Sequence, residues 1–131
     1  MEEEQGSYWS YPLANGEVAE RGKLACIDTA NAGVIVAGQT ATGLIPIGRF
    51  MADLTGDGTT KVPIRFFHEI TPIWWDNDTV TAVAIADRGT LCYIKDAETV
   101  SGDNTGRSAA GLVLDVDATD GVLVWSGVKG W

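Results

Sequence analysis

Short runs of β-branched and apolar residues recur roughly every ten residues along this chain, and each is closed by Asp, Asn, Gly or Ser. No convincing helical period lies between them, so the pattern points to strands joined by turns. The clearest case is Gly111-Leu112-Val113-Leu114-Asp115-Val116 followed by Val122-Leu123-Val124-Trp125, linked across Asp117-Ala118-Thr119-Asp120-Gly121. Asp120-Gly121 supplies the positive φ that a tight hairpin needs. Leu91-Cys92-Tyr93-Ile94 reads as another strand, and residues 101–106 as an exposed loop. Earlier, Lys23–Ile27 and Val34–Val36 flank a turn over Asp28–Gly33. Leu44–Phe50 follows as a third strand, in which Pro46 cannot donate to a ladder and therefore marks an edge or a bulge. Lys61–Phe67 is a fourth, with Val62, Ile64 and Phe66 on one face and Lys61 and Arg65 on the other. Residues 78–89 carry mixed signals. Asp78 and Gly89 frame a helical turn, whereas Val80, Val83 and Ile85 favour a strand.

These readings define an all-β fold, a small single-domain barrel or sandwich. A chain of 131 residues is one domain's worth, and residues 17–131 are expected to form it. Residues 1–16 show neither period and are expected to be an extended N-terminal arm. Tyr8, Trp9 and Tyr11 crowd into that segment just before Pro12, and clustered aromatics are costly to leave in water. Either the arm folds back onto its own domain or it docks on a neighbouring subunit or partner. In Ile73-Trp74-Trp75 two consecutive tryptophans point to opposite faces of a strand, so one enters the core and the other faces out. The candidate contact residues are accordingly Tyr8, Trp9, Tyr11, Pro12, Trp74 and Trp75. Stacking of a sugar on an outward tryptophan is the competing use.

The net charge of −9 and a pI near 4.3 disfavour nucleic acid and anionic membranes as partners. The acidic start Met1-Glu2-Glu3-Glu4 is unlike a secretory leader, and no apolar run approaches the ~20 residues of a membrane helix. Cys26 and Cys92 lie in apolar runs and read as buried thiols, with a disulfide left open. Catalytic and metal-binding patterns are weak. Asp53-Leu54-Thr55-Gly56-Asp57-Gly58 resembles the start of an EF-hand loop, but Ile64 stands where a bidentate Glu is required. The lone His68 has no orienting partner or second ligand. Asp115 and Asp117 could form an acid pair, although Asp117 is better placed to cap the hairpin. No catalytic residue, cofactor or metal is expected.

One resemblance accumulates along the chain. Gly48-Arg49, Leu54-Thr55-Gly56-Asp57-Gly58 and Val62–Phe67 look like the first half of the tailed-bacteriophage head decoration, or capsid cement, proteins. The second half is more similar: Gly89, Cys92-Tyr93-Ile94, Asp96, Thr99-Val100-Ser101, Arg107, Ala110-Gly111, Val113, Asp115-Val116-Asp117, Gly121-Val122 and Val124-Trp125. The likeness covers about residues 22–126, and it consists of turn residues and apolar strand positions. Trp74-Trp75 and the aromatics at Tyr8–Tyr11 lie outside the pattern. The resemblance implies an all-β homotrimer on the outer surface of the virion head, assembled in the host cytoplasm, with the major capsid protein as partner. Two other readings stand beside it: a β-rich tail or baseplate module that binds glycans, and a hydrolase of the trimeric dUTPase type, on the fainter likeness of Arg107-Ser108 and Gly111–Asp115.

Overall fold

The computed structural model describes residues 8–67 and 71–126. They form twelve strands: β1 (Tyr8–Pro12), β2 (Val18–Ala19), β3 (Leu24–Asp28), β4 (Val34–Ala37), β5 (Leu44–Phe50), β6 (Leu54–Thr55), β7 (Lys61–Phe66), β8 (Ile73–Asn77), β9 (Leu91–Ile94), β10 (Thr99–Ser101), β11 (Ala109–Asp117) and β12 (Gly121–Trp125). The only helical pieces among the described residues are single 3-10 turns at Thr29–Asn31 and Ile85–Asp87. The protein is all-β, as the recurring strand pattern requires.

The strands divide by position in the chain. The first half builds a five-stranded sheet in the order β1-β7-β5-β3-β4, with β2 and β6 as a short side pair. The second half closes a barrel in the order β10-β8-β12-β11-β9. All neighbours in these two assemblies are antiparallel except β8 and β10, where Asp76 lies beside Thr99 in parallel. The first sheet curls back on itself, because Leu13 bridges to Ile35 of β4 just after β1 ends.

Both faces of that sheet are apolar, and each has a different use. Leu13, Ala25, Ile35, Phe50, Val62 and Ile64 fill its concave side. From the other side Leu24, Cys26, Val36 and Leu44 join Trp75, Cys92, Ile94, Val113, Val122 and Val124 inside a second cluster, which fills the barrel. Sheet and barrel therefore share a core. Backbone and side-chain hydrogen bonds sew the same seam: Leu24 N–H donates to Ala97 O at 2.7 Å, and Thr40 Oγ1 donates to Lys95 O at 2.9 Å.

Pro46 sits inside the sheet, since β5 has β3 on one side and β7 on the other. It is tolerated there by a bulge. Gly48 faces Ala25 but Pro46 faces Cys26, so Ile47 is the extra residue. Of the segment expected to be an arm, residues 1–7 lie outside the described residues, and Tyr8–Pro12 runs antiparallel to β7, Trp9 facing Ile64 and Tyr11 facing Val62. Residues 78–89 form no strand. Val80 stands 84% exposed, and only the turn at Ile85–Asp87 is helical.

Cys26 and Cys92 are both fully buried free thiols. Loss of hydration pushes each up to about 12. A thiol-specific chromogenic reagent should therefore find neither cysteine in the native protein, and both once denaturant is added. Rapid reaction in native buffer would contradict this burial.

Candidate interaction site

The acidic side chains that looked available for chemistry are occupied by the backbone. Asp57 Oδ1 accepts from Thr60 N at 2.6 Å and Thr59 N at 2.8 Å, while Oδ2 accepts from the Thr60 hydroxyl at 2.7 Å. Those donors hold its carboxyl well below the usual carboxylate range, and they make residues 57–60 a capped turn after β6. Asp117 Oδ2 takes Asp120 N at 2.8 Å and Thr119 N at 2.9 Å, which lowers it for the same reason and fixes the β11–β12 hairpin. Asp115 instead lies 3.9 Å from Arg88 at the surface. Asp103 caps Thr105 N at 2.9 Å and meets Arg107 at 3.2 Å. No group of three or more metal-ligating side chains occurs among the described residues, and His68 lies outside them.

The most consequential polar cluster centres on Asp78, which the sequence suggested only as a cap. Its carboxylate is buried, accepting from Lys95 Nζ at 2.8 Å, Ser101 Oγ at 2.8 Å and Val80 N at 2.9 Å. Beside it, the Asn77 amide donates to Val83 O at 2.9 Å and accepts from Val83 N at 2.8 Å, copying a strand pairing with a side chain. Together they tie residues 78–84 back onto β8 and the end of β10, with Val83 buried in the core. Lys95 is the main cause of Asp78's strongly lowered pKa, ahead of Val80 and Ser101. A carboxyl depressed in this way contributes its full stabilisation above the unfolded value of about 4, and loses it as pH falls toward the folded value. With Asp57, Asp103 and Asp117 shifted in the same direction, urea midpoints should be flat above about pH 5 and fall steeply below about pH 4. Asp78→Asn should be weaker at neutral pH and show a shallower acid limb. An acid limb identical to the native one would remove Asp78 from this account.

A polar cleft of ≈ 520 Å³ opens beside this cluster, lined by residues including Asp76, Asn77, Thr79, Lys95 and Thr99. Trp74 does not line it. Ser108, which carried the faint hydrolase likeness, is buried: its hydroxyl accepts from Leu44 N at 2.9 Å and donates to Ala41 O at 2.7 Å. It ties the first sheet to the barrel.

The aromatic candidates separate clearly. Trp75 is 6% exposed and meets Phe67 edge-on, with centroids 6.4 Å apart, whereas Trp74 is 39% exposed on the barrel's outer side. Tyr11 is half-buried and packs edge-on against Phe66. Pro12 is exposed opposite Lys61. Tyr8 and Trp9 are both exposed, Trp9 at 64%. Among the described residues β1 is the last strand on its side of the sheet, and its outer edge meets β4 where the next residue, Leu13, bridges Ile35. The fold thus brings Tyr8, Trp9, Tyr11 and Pro12 together on one edge, and sets Trp74 apart on the barrel. No protein-family model matches the chain, and neither a curated protein nor a solved structure matches it.

Proposed function

We propose that this chain is a structural virion protein, which binds the exterior of an expanded phage capsid as a homotrimer and stabilises it. The observation that carries the reading is the exposed Trp9 on β1, the last strand of its sheet among the described residues. An exposed indole on the end strand of a sheet is the combination that recruits a protein partner, through a pocket for the ring and strand pairing for the backbone. The resemblance of its turn and strand residues to those of head decoration proteins supplies the kind of partner: the major capsid protein. Stabilisation then follows from linkage. A protein that binds only the expanded shell favours that state by its binding free energy, and three copies held together add their contacts by avidity.

Purified heads incubated with the protein should show added density on their outer surface by electron microscopy. Trp9→Ser should reduce occupancy at least tenfold while leaving the melting temperature nearly unchanged, because an exposed ring contributes little to folding. Bare heads with the native protein, or full occupancy with the variant, would overturn the reading.

A further inference from the structure

The strands of the barrel are apolar on both sides, although a closed barrel needs only one. Ile73, Trp75, Cys92, Val113, Val122 and Val124 point inward and fill it. Residues directly opposite in an antiparallel pair share a face, so the register also defines an outer row. Leu91 faces Leu112, Leu112 faces Trp125, and Leu123 faces Trp74. Continuous apolar runs of this kind characterise strands covered on both faces. The outer row crosses four strands, half-buried except at the exposed Trp74, and its rim carries Asp76, two residues beyond Trp74, and the Asp115–Arg88 pair opposite Leu123.

The first sheet presents the opposite character. Arg49 of β5 faces Arg65 of β7, which in turn faces Tyr8 of β1, and Lys61 lies on the same side of β7. Neither Arg49 nor Lys61 has an ion-pair partner among the described residues. The halves differ in charge overall: residues 8–67 hold five acidic and five basic side chains, residues 71–126 nine and three.

We infer that these two surfaces are the two sides of a head-to-tail contact between copies of this chain. The outer barrel face of one protomer meets the Arg49–Lys61–Tyr8 face of the next. A molecule of net charge −9 repels its own copy unless unlike surfaces are matched. The match pairs an apolar row rimmed by Asp76 with cations beside a half-exposed tyrosine, and Trp74 offers a ring for a guanidinium. A contact between different patches closes into a ring when its rotation allows, so the inference rests on the trimeric part of the proposed function and assigns that ring its surfaces.

Sedimentation velocity of the full chain tests it. The native protein should run as a trimer, and Arg49→Glu with Lys61→Glu should raise its dissociation constant at least tenfold, as should Asp76→Lys alone. All three changes in one chain exchange the charges and should restore much of the association. Melting temperatures close to native ensure that the loss is one of assembly. If the double variant misfolds, Lys61→Glu alone carries the same expectation. A native monomer, or variants that remain trimeric, would overturn the inference. Scoring head occupancy in parallel separates the two claims: trimers indifferent to these charges that still decorate heads sink only this contact, and charge-dependent trimers that leave heads bare sink only the capsid reading.

Discussion

Trp75→Ala should destabilise the protein by about 4 kcal/mol, while Trp74→Ala, one residue away, should cost less than about 1 kcal/mol. Trp75 lies on β8 with its ring inside the barrel, against Phe67 and beside Val122 of β12. Truncating a buried indole removes its transfer free energy and leaves a cavity that closed strands cannot collapse to fill. For a chain of this size 4 kcal/mol corresponds to roughly 15 °C in melting temperature. Trp74 points outward, and its loss leaves no void. Thermal melts at dilute concentration read both variants in one experiment. Equal shifts would mean that the inside and outside of β8 have been assigned wrongly.

Gly121→Ala should be nearly as damaging, for a different reason. Gly121 closes the β11–β12 hairpin at φ +99°, and a Cβ there would lie 2.1 Å from the Trp75 carbonyl oxygen. Two costs combine: the left-handed backbone that an L-residue resists, and a clash that drives β12 off β8 where the barrel closes. Gly89→Ala separates them. Gly89 has φ +90°, but nothing lies within 4 Å of the corresponding Cβ position. It should cost about 1–2 kcal/mol from backbone strain alone, against more than about 3 kcal/mol for Gly121→Ala. Denaturant unfolding of the two variants gives the difference directly, and a Gly121 cost no larger than that of Gly89 would show that the close approach is readily relieved.

Strands whose pattern reflects their own packing were legible in the chain. Val62, Ile64 and Phe66 alternate with Lys61 and Arg65 because one face of β7 fills the concave side of the sheet, and Asp120-Gly121 announced its hairpin. Strands that depend on neighbours were not. Tyr8–Pro12 has no apolar alternation, since an edge strand is held by ladder bonds to β7 and buries little until Leu13. β10, of three residues, exists because β8 and β9 both pair with it. Val80, Val83 and Ile85 suggested a strand, but Asn77 and Asp78 capture that segment with side-chain hydrogen bonds, leaving Val80 and Ile85 exposed. For the interaction site, composition picked out the tryptophan pair, and strand geometry required one in and one out. Which went inward depended on the register of β8 against β12, and the apolar outer row of the barrel became visible only once the closed sheet fixed which side was full.

The shared core also bears on the order in which the chain is completed. Each half pairs mainly within itself, so the first sheet has all five of its strands once residue 66 is in place. Yet one of its faces, Leu24, Cys26, Val36 and Leu44, finds its cover only in residues 75–124. During synthesis the N-terminal half therefore waits with a sticky surface, the state in which β-rich chains pair with the wrong partner. Its safest interval is a short one, which favours rapid translation through the barrel-forming half.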